Sequence, residues 1–180
     1  MVAIFGGSFD PPHQGHQQIV DKAIKNLKID QLLVIPAYLN PFKTSTLADA
    51  QTRLMWCHTL FDPMERVSVE GYEVEEGKST FTSHTVKHLN QRYDVKYLIL
   101  GADNLSRLTK WHEFEWLNET ITWIIATRDR HHLETDSLKK WEILDLDTPI
   151  SSTQIREEKE LNLVDTKIRE SVKKLLQREH

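Results

Sequence analysis

The sequence predicts an α/β fold built on a mostly parallel sheet, and three observations carry that prediction. Short apolar runs recur at Val2 to Phe5, Leu32 to Pro36, Tyr97 to Leu100 and Ile124 to Ala126, the pattern of strands buried on both faces. Between the first two lies QGHQQIVDKAIKNL, whose Ile19, Ala23 and Leu27 share one helical face. This strand, helix and strand occupy about thirty-five residues, the length of one βαβ unit.

The whole chain has 180 residues, a formal net charge of −4, nine histidines and one cysteine. That length suits one domain with a real core. An acidic balance without a basic block argues against a dedicated nucleic-acid binder, but leaves room for a small anionic substrate in a locally positive site. No run of eighteen apolar residues marks a membrane span. The N-terminus opens on a core strand and lacks a leader or lipidation pattern. A single thiol cannot form an internal disulfide, and Cys57, in LMWCHTLF, is expected to be a buried helix residue. The expectation is a cytoplasmic protein with no membrane or nucleic-acid partner, its state as monomer or homodimer left open.

The organising stretch is the first sixteen residues, MVAIFGGSFDPPHQGH. Gly6 and Gly7 end the first strand, where positive φ and close ligand approach are open to glycine. Pro11 and Pro12 prevent a helix until His13. The order strand, glycine turn, rigid loop and helix N-terminus offers free N–H groups and a positive dipole end to an anion. His13 and His16, three residues apart, can turn both rings toward one group. There they can donate hydrogen bonds to a phosphoryl oxygen and, if protonated, add charge. A zinc pair or two surface histidines would share this spacing, but no Cys or carboxylate stands nearby at ligand spacing.

GGSFDPPHQGH resembles the G-G-[ST]-F-D-P-x-H-x-G-H signature of the nucleotidyltransferase superfamily, whose H-x-G-H is related to the HIGH motif of class I aminoacyl-tRNA synthetases. The resemblance implies a Rossmann-like open, mostly parallel sheet with helices on both faces, the nucleotidylyltransferase fold. It also implies transfer of AMP or CMP from a nucleoside triphosphate.

The chain continues in order from there. After the second strand, AYLNPFKTST reads as a loop; NPFK resembles the end of a family segment whose lysine lies near the phosphates, which points to Lys43. DAQTRLMWCHTLF is a helix with Leu54, Met55, Cys57, His58 and Phe61 as its apolar face. RVSVEGYEVEEG reads as extended, broken at Gly71. Thr82 is a plausible N-cap for a helix carrying Thr85, Val86 and Leu89. STFTSHTVKHL resembles the S-Y-T-x-[DN]-T-L stretch of the nicotinate mononucleotide adenylyltransferases, with His84 replacing the acidic or amide residue.

In VKYLILGADNLSRLTKWHEFEWL, Gly101 and Asp103 stand at the carboxyl end of a strand, where open α/β sheets bind ligands. Asp103 can accept from ribose hydroxyls or cap the next helix. Gly101, Asp103, Leu108 and Trp111 match the G-x-D-x-x-x-x-L-x-x-W pattern of the same enzymes, in which the tryptophan stacks on the nicotinate ring and the backbone beside it binds the ring carboxylate. Trp116 reads as core. TITWIIATR is another strand; Arg128 at its end is a weak phosphate candidate, and His131 and His132 read as solvated. KWEILDLD is the last strand. ISSTQIR resembles the I-S-S-T-x-I-R signature that faces H-x-G-H, with Ser152 or Thr153 capping a helix and Arg156 gripping phosphate. The tail is an amphipathic helix with Val164, Ile168, Val172, Leu175 and Leu176 on one face, expected to pack against the sheet.

The reading is a single nucleotidyltransferase domain over 1–180, with 157–180 as a C-terminal helical segment packed on it. By this resemblance it is an adenylyltransferase joining ATP and nicotinate mononucleotide into deamido-NAD and pyrophosphate in NAD biosynthesis. Catalysis falls to His13, His16, Lys43 and Arg156. ATP is expected at Gly6, Gly7, Ser8, Phe9, His16, Gly101, Asp103, Ser151, Ser152, Thr153 and Arg156. The mononucleotide is expected at Gly7, Ser8, Phe9, Lys43, Thr82, Trp111 and His112. Mg²⁺ would arrive on ATP, with no dedicated protein cage. Nicotinamide mononucleotide or phosphopantetheine is the alternative second substrate, and a non-catalytic nucleotide sensor the alternative of another class.

Overall fold

The computed structural model describes residues 1–41, 44–127, 133–146 and 151–177. Six strands, β1 (Val2–Gly7), β2 (Gln31–Pro36), β3 (Val67–Val69), β4 (Val95–Gly101), β5 (Thr122–Thr127) and β6 (Trp141–Asp145), form one sheet ordered β3-β2-β1-β4-β5-β6. Every neighbouring pair is parallel, with Ala3 opposite Leu32 on one side and Tyr97 on the other. This is the doubly wound order of the Rossmann fold. Chain direction across the sheet reverses between β1 and β4, so their carboxyl ends flank the crevice where such sheets bind ligands.

The helices are α1 (Gln14–Asn26), α2 (Ala50–Phe61), α3 (Tyr72–Glu75), α4 (Thr82–Leu89), α5 (Leu105–Leu108), α6 (Phe114–Thr120), α7 (Ser152–Glu158) and α8 (Thr166–Leu176). Strand alternation divides the core in two. Ala3, Phe5, Leu32 and Val34 meet Val20 and Ala23 of α1, Trp56 and Phe61 of α2, and Ile168 and Val172 of α8. Ile4, Leu33, Ile35 and Leu98 meet Val86 and Leu89 of α4, Leu108 of α5 and Leu117 of α6. Both faces of the central strands are therefore buried, as their continuous apolar runs require. No helix among the described residues is long and apolar enough to cross a membrane.

Several local expectations change. Helix α2 buries Arg53, Trp56, Cys57, Leu60 and Phe61, while Met55 and His58 are exposed and Leu54 is half-buried. The charged Arg53 hides the true stripe, whose spacing of three and four residues is regular. RVSVEGYEVEEG holds only the three-residue edge strand β3. Beyond Gly71 the chain turns into α3, where the Glu75 N–H donates to the Gly71 carbonyl at 2.9 Å. The N-cap of α4 is Phe81, with Thr82 the first helical residue. Trp116 is half-buried with the Lys87 ammonium 4.9 Å from its ring, so it covers the core rather than filling it. Cys57 is fully buried, and burial pushes its thiol far above the ordinary range. In the tail, Val164 is buried in the turn before α8, and Leu175 is half-buried. Helix α8 rests on α2, where the Trp56 indole donates to the Ser171 hydroxyl at 3.1 Å.

Candidate active site

A cavity of about 1090 Å³ opens at the carboxyl ends of β1, β4 and β5. Its wall brings together residues far apart in sequence: Gly6 to Phe9, His13, His16, Gly101, Asp103, Thr82, Trp111, His112 and Ser151 to Thr153. The size and position suit a nucleotide.

Gly6 and Gly7 lie in the extended end of β1, and neither has positive φ; the left-handed residue is Phe9, at φ 47°. The glycines therefore serve close approach rather than chain reversal. A Cβ on Gly6 would meet no protein atom within 4 Å, so its hydrogen faces open space. A Cβ on Gly7 would stand 3.1 Å from the Phe9 ring. Phe9 is buried against Phe5 and Phe61, which anchors the loop that follows.

His13 caps α1 and His16 lies one turn on; their rings stack with centroids 3.7 Å apart. His16 also rests on Phe9, at 4.9 Å. The His13 backbone N–H donates to Nδ1 of His16 at 3.2 Å, which assigns the His16 proton to Nε2. Burial lowers the His13 imidazole to about 4, and burial together with neighbouring His13 holds His16 well below 6.5. One edge of His16 is open to the cavity, but protein packs densely around the rest of the ring. Both rings are thus neutral hydrogen-bonding groups in the free protein at neutral pH, not the cations they could have been. The Nδ1 atom of His13 is buried with no protein partner, a polar atom whose bonding capacity is unmet.

The N-cap of α7 is Ser151, whose hydroxyl accepts from the Gln154 N–H at 3.0 Å; neither Ser152 nor Thr153 caps it. Ser152 instead donates to the Pro11 carbonyl at 3.0 Å, stitching this helix start to the histidine loop. Arg156 lies off the cavity wall. Its guanidinium donates to the Asp10 carbonyl and to the Thr153 hydroxyl. Lys43, Arg128, His131 and His132 fall outside the described residues. Lys110, which the sequence reading passed over, is the one ammonium on the wall among the described residues.

At the β4 end, a Cβ on Gly101 would stand 2.5 Å from Oδ1 of Asp103, so glycine lets that carboxylate fold back over the strand end. Trp111 meets Trp123 edge to face at 6.2 Å, half-buried with the rest of its surface toward the cavity. His112 accepts or donates at Nδ1 with the Ser83 hydroxyl at 3.0 Å and stacks under Phe81 at 4.6 Å. Thr82 lines the same end.

Three buried charged residues escaped the sequence reading. Arg53 is 1% exposed and donates to the carbonyls of Ala48, Ser8, Ala37 and Tyr38. It thereby fixes the glycine loop to the segment after β2. Asp10, equally enclosed, accepts from the N–H groups of Leu47 and Ala48 at 2.9 and 3.0 Å. Glu73 on α3 also lines the cavity. It accepts from the Thr85 hydroxyl at 2.6 Å, and burial pushes its carboxyl up to about 7 against the pull of that bond.

Among the described residues, one group of three has metal-ligand spacing: His84, His112 and Glu113, all exposed. Two imidazoles suit zinc rather than magnesium, which takes oxygen ligands. That exposed group therefore suits zinc chemistry and not magnesium.

The cytidylyltransferase-like family model matches residues 4–158. A Sulfurovum sp. protein named "probable nicotinate-nucleotide adenylyltransferase" is 60% identical over 175 residues, covering 97% of this chain and 93% of its own length. A relative of the same name from Campylobacter fetus is 42% identical, covering 87% of this chain and 86% of its own. The solved nicotinic acid mononucleotide adenylyltransferase of Plasmodium falciparum complexed with NaAD shares the fold, with a TM-score of 0.68 at 23% identity over 94% of this chain and 88% of that one.

Proposed function

This chain belongs to the nicotinate-nucleotide adenylyltransferases of the cytidylyltransferase-like family, and we propose that the cavity at the β1/β4 switch point performs their reaction with the residues in the roles that follow. The reaction joins ATP and nicotinate mononucleotide into deamido-NAD and pyrophosphate, the adenylyl transfer that leads toward NAD. A phosphate oxygen of the mononucleotide attacks the α-phosphorus of ATP. The bond from that phosphorus to the bridging oxygen of the β-phosphate breaks, and pyrophosphate leaves. The attacking oxygen is already anionic at neutral pH, so no general base is required. Catalysis is positioning plus stabilisation of charge on the α-phosphate and the leaving group.

Gly6 would let the backbone of the first loop approach the nucleotide, and Ser8 and Phe9 would offer N–H groups. His16, with its proton on Nε2, and the neutral His13 would donate to phosphoryl oxygens. The capped start of α7, with Ser151, Ser152 and Thr153, would hold the triphosphate from the opposite side. Arg156 acts there by tying α7 to Asp10. Asp103 would accept from ribose hydroxyls. Thr82, Trp111 and His112 would receive the pyridine ring, an aromatic platform suiting a flat heterocycle. Mg²⁺ would arrive with ATP and lower the charge of the triphosphate; no step here depends on protein ligands to it.

The observation that supports this reading is the convergence, on one cavity, of four segments that range in sequence from Gly6 to Thr153. The test is pyrophosphate release from ATP and Mg²⁺, with nicotinate mononucleotide and nicotinamide mononucleotide side by side. Strong preference for the acid is expected. Equal or reversed preference would overturn the substrate assignment, and no release with either would overturn the enzyme.

A further inference from the structure

Glu73 is anomalous in a cavity meant for anions. It lines the wall, is 8% exposed, and is joined by no ion pair among the described residues. Its partner is the hydroxyl of Thr85, itself 1% exposed and the fourth residue of α4. A carboxylate held by one neutral donor is poorly compensated, and a second anion arriving in the same cavity would raise its cost further.

The groups around it are few. Helix α4 presents Thr85 and also His88, whose ring stacks on Tyr72 beside Glu73 at 3.8 Å. Helix α2 presents Arg53, whose donors are turned to backbone carbonyls. Strand β2 offers apolar side chains, with Gln31 bonded to Ser68. Its own helix carries Tyr72, Glu75 and the following Glu76, and the cavity wall adds His13, His16, Asp103, Lys110 and His112. None of these is a cation set against Glu73.

We propose that Glu73 is a proton-linked positioning residue: its buried carboxyl takes up a proton as the anionic mononucleotide binds, keeping Thr85 and the start of α4 in place without a second buried negative charge. This rests on the function proposed above. The chemistry balances simply. One proton moves from solvent to a Glu73 oxygen, and the Thr85 hydroxyl, which can donate or accept, changes from donor to acceptor while the contact persists. The carboxyl's position at about 7 leaves it substantially ionised in the free protein just above neutrality, so a proton remains to be taken up.

Titration calorimetry of nicotinate mononucleotide binding, at about pH 8 in two buffers of different ionisation enthalpy, tests this. At that pH the nucleotide phosphate, with a second pKa near 6, is fully ionised and contributes no uptake. Wild-type protein should take up most of one proton, and its affinity should weaken by up to about tenfold for each further pH unit. Glu73→Gln keeps a hydrogen-bonding partner for Thr85; it should lose the uptake and give an affinity flat above neutrality. Equal uptake in both proteins overturns the proposal, as does a uniform loss of affinity in the variant with uptake unchanged. Should Glu73→Gln fail to fold, Thr85→Val, which removes the one donor that favours the ionised carboxyl, must reduce the uptake at about pH 8 and move it to higher pH; uptake unchanged from wild type there would overturn the proposal. Binding without uptake sinks this inference alone, whereas absence of wild-type binding removes the proposed function as well.

Discussion

The backbone N–H of His13 donates to Nδ1 of His16 at 3.2 Å, while the two rings stack at 3.7 Å. One backbone bond thus selects the tautomer of a cavity-lining side chain three residues away and leaves its Nε2–H as the remaining donor. A surface HxxH pair has no such constraint.

His16→Ala should therefore reduce turnover by about a hundredfold or more, the scale of losing one preorganised transition-state donor. It should still fold, with a modest fall in thermal midpoint from the lost packing on Phe9 and His13. Steady-state kinetics beside a melting curve checks both, and near-normal turnover would remove His16 from the mechanism.

Gly6 allows fold and binding to be separated. Its backbone is extended and an added Cβ meets no protein atom within 4 Å, so Gly6→Ala should fold as well as wild type or gain about 0.5 kcal/mol. The same methyl group points where the nucleotide would lie, and ATP affinity should fall about tenfold or more, ~1.4 kcal/mol. A variant that binds ATP normally would place the nucleotide elsewhere.

Arg53 should behave in the opposite way. Arg53→Met removes the donors to four carbonyls in the protein interior, each expensive to leave unpaired, and should cost about 3 kcal/mol or more in a urea titration. Because Ser8 is one of the four, mononucleotide KM should rise as well. A loss below about 1 kcal/mol would mean that water replaces the guanidinium without strain.

The acid side of the stability profile should be set by the histidines. His13 drops from 6.5 to about 4 on folding, so between those values the unfolded chain binds more protons and stability falls as pH falls. The full effect is on the order of 3 kcal/mol, and His13→Asn should flatten that limb. Glu73 works against it: its rise from 4.5 to about 7 means that its contribution is present at low pH and is lost as pH climbs through 7. Glu73→Gln should therefore show a steeper gain of stability from pH 4.5 to 7 than wild type, read from urea midpoints across that window.

The sequence by itself determined the sheet and the ends of the site. Apolar runs at Val2 to Phe5 and Leu32 to Ile35 have the length and composition of strands buried on both faces, and the motif from Gly6 to His16 carries its chemistry in consecutive residues. Tertiary structure decided what depends on neighbours distant in the chain. The neutrality of His13 and His16 comes from packing that no local pattern records. The duty of Arg53 became visible only when Ser8, Ala37, Ala48 and Tyr38 turned their carbonyls to one point. Arg156 is legible as a phosphate-gripping residue type, yet the fold turns it to Asp10 across 146 positions of sequence. Glu73 read as one acid in a charged stretch, until α3 and α4 enclosed it beside Thr85. Motifs encode which groups are present, because that is local; burial and partner choice set their charge and direction, and those are properties of the folded whole.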